Sequence, residues 1–258
     1  MKMKYIKTVI AAVIVLAFTA CDKNAFQVID APPTGPNFRV YNFAVGGPQV
    51  NIYVNDVKVS AIGSTTGKES ASGIAAYGIF PGTNSYVNIQ NNGSVVIRAK
   101  TPVNATTNPG IETTSATSNF ENGKFYSFFT AGIYDATAKT TTSFVVEDKI
   151  PAIDINFAYI RIVNTVPNAA NGFDLKITNK ATNEVLTISG PVMFKSASEF
   201  IKVPDGIYNI SATSINTPAN YVINRADLTV TKGFVYTLAP RGTVVTASTL
   251  AIDMTRNR

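Results

Sequence analysis

The sequence has no histidine, no tryptophan and a single cysteine, Cys21; leucine is scarce too, with 6 Leu against 26 Val and 25 Ile. Each shortage closes a class of chemistry. Without histidine there is no Ser-His-Asp or Cys-His triad, and the side chain that most often moves protons near neutral pH and ligates metals is missing. Without tryptophan the broadest aromatic platform for stacking on sugars is missing. A lone cysteine makes no internal disulfide and no cysteine-based zinc site. No serine stands three residues before a lysine, which removes the Ser-x-x-Lys arrangement. Glutamate is as rare as leucine, at 6. Both suit helices, whereas β-branched side chains are stiff at χ1 and pack on pleated surfaces. The composition is that of an all-β chain.

What is present begins with an address. Lys2, Lys4 and Lys7 precede an apolar run, and TVIAAVIVLAFTAC closes on small residues and Cys21. The run over 9–18 is half of the ~20 residues that a membrane-spanning helix needs. A basic start and a small-residue end mark a cleaved export signal. Phe18-Thr19-Ala20-Cys21 resembles the lipobox of bacterial lipoproteins, with Phe18 in the usual leucine position. The resemblance implies cleavage before Cys21, a diacylglyceryl group on its sulfur and a further chain such as palmitate on the new amino terminus. Each buried CH₂ contributes ~0.8 kcal/mol, so two or three acyl chains hold a protein at a membrane. The expected layout is a signal peptide at 1–20 and a lipidated tether at 21–37, broken by Pro32, Pro33, Gly35 and Pro36. The implied place is the cell envelope outside the cytoplasm, on the periplasmic or surface face of the outer membrane. Half of the formal charge of +6 sits on Lys2, Lys4 and Lys7, and no dense Lys/Arg run follows. Nucleic acid is therefore not an expected partner.

From Phe38 onward apolar and polar residues alternate with period two between turn residues, the pattern of half-buried strands. Val50-Asn51-Ile52-Tyr53-Val54 is one such stretch, and Asn55-Asp56 reads as a hairpin turn into Val57-Lys58-Val59. The order then recurs. Arg39-Val40-Tyr41-Asn42 returns as Arg161-Ile162-Val163-Asn164, and Val50-Asn51-Ile52-Tyr53-Val54 as Phe173-Asp174-Leu175-Lys176-Ile177. Phe80-Pro81-Gly82 returns as Val203-Pro204-Asp205-Gly206, each before a strand carrying Tyr86 or Tyr208. Gly123-Lys124-Phe125-Tyr126-Ser127-Phe128 returns as Gly233-Phe234-Val235-Tyr236-Thr237-Leu238. Units of about a hundred residues are domains, not solenoid repeats. The expectation is two tandem Ig-like or transthyretin-like β-sandwiches, 38–150 and 151–258, with the boundary near Lys149-Ile150-Pro151-Ala152.

These blocks resemble the bacterial family called domain of unknown function 4397. The likeness rests on Asn164-Thr165-Val166-Pro167-Asn168-Ala169, on the hairpin from Val50 to Asn55, and on Asn122-Gly123-Lys124-Phe125-Tyr126-Ser127. Ala44-Val45-Gly46-Gly47-Pro48 is a degenerate form of the opening turn, and the second repeat lacks the compact hairpin. The resemblance spans 38–245 in two copies. It implies extracytoplasmic, often lipid-anchored β-domains of the Bacteroidota type, with no established reaction.

Candidates for chemistry are few. Gly63-Ser64-Thr65-Thr66-Gly67-Lys68-Glu69 has three residues between its glycines and Glu69 after the lysine, where a phosphate loop needs four and Ser or Thr. It reads as a flexible loop. Glu147-Asp148 is the only adjacent acidic pair; neighbours on a strand face opposite ways, so the pair reads as solvated strand-end charge. No calcium-loop pattern appears. The aromatics, among them Tyr126 and Tyr236, read as core. The polar, aperiodic segment 101–118 reads as a long mobile loop, the kind of segment that carries binding when anything does. The expected function is a non-enzymatic, lipid-anchored binding or structural module with no cofactor and no metal, joined to the membrane through Cys21 and taking an unidentified glycan or protein ligand. An adhesin or glycan-capture accessory and a carboxylate-based glycosidase are the alternatives.

Overall fold

The computed structural model describes residues 34–60, 72–169, 171–215, 221–244 and 246–258. The signal segment, Cys21, the tether up to Pro33 and the loop 63–69 lie outside the described residues. The described chain is all β. Its first half contains β1 (Asn37–Asn42), β2 (Asn51–Val54), β3 (Val57–Lys58), β4 (Ile79–Phe80), β5 (Val87–Asn88), β6 (Gly93–Lys100), β7 (Glu112–Phe120), β8 (Phe125–Asp135) and β9 (Thr140–Glu147). The second contains β10 (Ala158–Ile162), β11 (Phe173–Asn179), β12 (Val185–Val192), β13 (Ile201–Val203), β14 (Gly206–Ser214), β15 (Val222–Val230), β16 (Val235–Thr243) and β17 (Thr246–Arg256).

Four sheets result, and each draws its strands from one half only. The first half has β4-β1-β8-β9, with β5 also on β1, and β3-β2-β6-β7; the second has β13-β10-β16-β17 and β12-β11-β14-β15. The two halves share one strand order. In both, the opening strand lies parallel to the penultimate one, β1 on β8 and β10 on β16. Asn55 and Asp56 turn β2 into β3 with φ of 48° and 65°, the left-handed pair that a two-residue hairpin requires. Gly123 and Gly233, at φ +77° and +83°, occupy the equivalent turns before β8 and β16, where a side chain would be strained. Behind each glycine a tyrosine closes the turn: Tyr126 Oη accepts from the Glu121 amide (3.0 Å) and Tyr236 Oη from that of Thr231 (3.3 Å).

Period-two alternation sends one side of each strand between the two sheets of its half. Phe38, Val40, Ile52, Val54, Val95, Ile97, Tyr126 and Phe128 form one apolar cluster; Ile160, Ile162, Leu175, Ile177, Ile210, Tyr236 and Leu238 belong to the other. Fully burying a large aliphatic or aromatic side chain contributes ~1.5–3 kcal/mol, so each half holds a core of its own. A third cluster crosses between the halves. Tyr41, Phe43, Phe129, Ala131 and Phe144 meet Val163 and Ala239, with Phe194 and Ala197 packed against them. The rings of Tyr41 and Phe129 stack at 4.3 Å and those of Phe129 and Phe144 at 4.9 Å, while Phe194 meets Phe144 edge-on at 6.5 Å. Residues 34–258 accordingly make one compact unit.

Two readings of the sequence are corrected. The segment 101–118 is not a single loop: the connection ends at Ile111, and Glu112–Phe120 is a strand paired along β6. Its Thr/Ser-rich face toward solvent hides the alternation, but Thr113 and Phe120 are buried and threonine suits a pleated edge. The strands carrying Tyr86 and Tyr208 are not equivalents. β5, after Tyr86, pairs with β1, whereas Tyr208 lies in β14, between β11 and β15. The short connection from β13 to β14 puts Tyr208 in the core, while the first half inserts β5 before its matching strand, β6.

Candidate functional site

The ionisable side chains that sequence reasoning treated as surface charge converge in the junction between the halves. β1 and β8, like β10 and β16, are apolar or buried on both faces. The residues that alternate with the core positions therefore point into this junction. Arg39 stands beside Ser127 and Arg161 beside Thr237 in the parallel registers. The four positions are equivalent in the two halves, and all four are buried.

The contacts across the junction are reciprocal. Arg39 Nη2 donates to the carbonyl of Arg256 (2.8 Å), and Arg161 Nη1 to that of Glu147 (3.4 Å). Glu147 and Arg256 are themselves equivalent, for they pair with Tyr126 and Tyr236. The Arg39 guanidinium lies over the Tyr86 ring at 4.0 Å and that of Arg161 over the Phe200 ring at 4.7 Å. Ser127 donates to Asp148 (2.6 Å), and Thr237 to Asn257 (2.7 Å). Each half thus offers the same surface to the other, the arrangement of an isologous dimer built inside one chain.

The symmetry breaks where chemistry requires it. Asp148 stands opposite Asn257, and Tyr86 lies between them. Tyr86 Oη donates to Asp148 Oδ2 (2.7 Å) and accepts from Asn257 Nδ2 (2.6 Å). A hydroxyl has one proton to give, so a second carboxylate in place of Asn257 would have no donor there. Asp148 also pairs with Arg161 Nη2, both side chains being almost wholly buried. Arg39 completes the network through the Ser85 carbonyl (2.9 Å) and Tyr41 Oη (3.4 Å), and Tyr41 bonds Thr255 (2.8 Å). Burial, and next the negative charge of Asp148, raise the Tyr86 hydroxyl far above the ordinary tyrosine value. Tyr86 is a proton donor here and not a base.

Asp148 is thus not a solvated strand-end charge: it is 2% exposed, because Arg161, Tyr86 and Ser127 replace the water it loses. Glu147 does face elsewhere, as strand geometry requires, toward Lys124 at 3.5 Å. The two carboxyls therefore do not share a site. Tyr126 and Tyr236 are core residues, each more than nine-tenths buried. Cys21 and Lys68 lie outside the described residues. Among the described residues no group of three acidic, histidine or cysteine side chains could hold a metal ion, and no helix is long and apolar enough to cross a membrane. Sequence reasoning missed the junction, although the unbroken apolar and aromatic run of β8, FYSFFTAGIYD, is the mark of a strand covered on both faces.

Residues 158–258 match the family model described as "Domain of unknown function (DUF4397)". No curated protein matches the chain. Three solved structures overlap it weakly. A leucine-rich repeat protein of Bacteroides thetaiotaomicron has 12% identity and a TM-score of 0.21, over 83% of this chain and 26% of that one. The chain thus spans about a quarter of that protein's length. A "putative cell adhesion protein" of Bacteroides ovatus has 10% identity and a TM-score of 0.25, over 87% and 96% of the two chains. Another of the same description, from Bacteroides fragilis, has 9% identity and a TM-score of 0.23, over 86% and 97%. TM-scores this low do not establish a common fold.

Proposed function

We propose that the protein is a non-enzymatic binding or structural module of the cell envelope. In this reading two β-sandwich domains of the Ig-like or transthyretin-like kind, 38–150 and 151–258, stand on a tether acylated at Cys21, and the first is a diverged copy of the matched second. The shared strand order, with its parallel first and penultimate strands, supports the copy. The paired tyrosine-closed turns support the sandwich, since such a tyrosine is a sandwich hallmark.

The observation that carries the non-enzymatic reading is the fate of the junction's reactive groups. Asp148, Arg161, Arg39 and Tyr86 are the densest set of ionisable side chains described, and they bond to one another and to backbone carbonyls. Such a network fixes the angle between two domains and leaves the loops and the outer ends of the sheets to meet a ligand. Fractionation tests the address: Cys21→Ala is expected in the soluble fraction after detergent-free lysis, and a variant that still pellets with membranes refutes the anchor. Incubation with a panel of polysaccharides tests the class. Hydrolysis that disappears when one Asp or Glu is replaced would make the protein a carboxylate-based glycosidase.

A further inference from the structure

A cavity of about 420 Å³ opens where β9 and β17 run out at the edge of the junction. Phe125 and Ile150 give it apolar walls, and Lys124, Lys149 and Arg258 give it positive charge. Lys124 is engaged by Glu121 at 2.7 Å, and that hydrogen bond raises its pKa. Lys149 is exposed and pairs with no acid among the described residues.

Arg258 differs from both. Its Nη1 donates to the Pro151 carbonyl at 2.7 Å, but Nε and Nη2 are buried with no acceptor. Buried donors without partners are rare in folded proteins, because the water they lose is otherwise not replaced. The two N–H groups lie on the same edge of the planar guanidinium, which is the fork that receives both oxygens of a carboxylate. The equivalent position in the first half is Lys149, two residues beyond Glu147 as Arg258 is beyond Arg256. An ammonium has no such fork, so the feature is confined to this cavity.

We propose that the cavity binds a small organic carboxylate, with its two oxygens on Nε and Nη2 of Arg258 and its apolar body against Phe125 and Ile150. This site is independent of the acyl anchor and of the loops. Benzoate is the probe. It is titrated into the ¹⁵N-labelled full-length chain beside benzamide, its neutral isostere, and inorganic sulfate, with the Arg258 Nε–Hε resonance as readout.

The expected result is saturable movement of that resonance with benzoate and binding at least about tenfold weaker for benzamide, the ratio that one charge-assisted contact supplies. Arg258→Gln is expected to weaken benzoate by a similar factor, and Arg258→Lys, which keeps the charge and loses the fork, by less. Benzamide binding as tightly as benzoate, benzoate leaving the Arg258 resonance unmoved, or sulfate matching benzoate would each overturn the proposal. These three comparisons use the unaltered chain, so they stand even where a variant folds poorly. Unchanged benzoate affinity in a folded Arg258→Gln chain would overturn it as well.

Discussion

Replacing Asp148 by asparagine alters one atom of the junction and tests what holds the halves together. The side chain keeps its shape and can still accept from Tyr86 and Ser127, which both bond Oδ2. It loses the negative charge that faces Arg161, and Arg39 lies just across the Tyr86 ring at 4.0 Å. Two buried guanidinium groups would then have no carboxylate between them. Breaking a buried ion pair by removing one partner costs ~3–5 kcal/mol, because the surviving charge stays desolvated. For a unit of this size each kcal/mol lowers Tm by ~2–4 °C, so Asp148→Asn is expected to melt ~6–20 °C below the parent chain by circular dichroism. Removing Arg161 as well, in Asp148→Asn with Arg161→Gln, is expected to recover part of that loss, since the orphaned charge goes too. A single variant melting within ~2 °C of the parent, or a double variant losing the sum of both single effects, would refute the assignment of Asp148 as the counter-charge of the junction.

Two further outcomes follow from the same contacts. Expressed apart, 38–150 and 153–258 each keep two sheets and a core, but each exposes its part of the cluster around Tyr41, Phe129 and Phe194. At ~1.5–3 kcal/mol for each large apolar side chain laid bare, the halves are expected to melt cooperatively at lower temperature and to regain stability when mixed; absence of any cooperative β transition in either would show that they are not separate folding units. Because the folded chain holds the Tyr86 proton more tightly than the unfolded chain, in which tyrosine titrates near ~10, stability is lost as the pH rises above that value. The advantage of the parent over Tyr86→Phe should therefore shrink between pH ~9 and ~11, and a constant difference would place the hydroxyl outside the junction network.

The strands that could be read were those whose burial is one-sided. In β2 and β11 the period of two is visible in Val50, Ile52 and Val54 and in Phe173, Leu175 and Ile177, all buried. The Gly-x-x-Tyr blocks were legible because turn geometry and a closing tyrosine are local requirements. β7 was not, since an edge strand that turns Thr and Ser to solvent has little hydrophobic contrast. The junction was hidden for a different reason. Arg39 and Arg161 stood out as equivalents, yet their role depends on partners 217 and 13 residues away, Arg256 and Asp148. Asp148 itself looks like any acid at a strand end until Arg161, Tyr86 and Ser127 are brought to it by pairings that no local pattern encodes.

The parallel pairing of β1 with β8 bears on how the chain acquires its structure in time. A strand laid parallel to a distant one cannot be closed by a hairpin and must wait for the whole intervening chain. Asn37 finds its neighbour Phe125 only after almost all of the first half has been made, and Tyr159 waits likewise for Val235. Contacts so far apart in sequence slow the search for the native state. A chain emerging from its amino terminus therefore holds β1, with Phe38, Val40 and Tyr41, open at its leading edge until the last strands of the half arrive. Such a polypeptide stays unfolded and threadable for longer than one built of local hairpins, and it completes each half in a single late step.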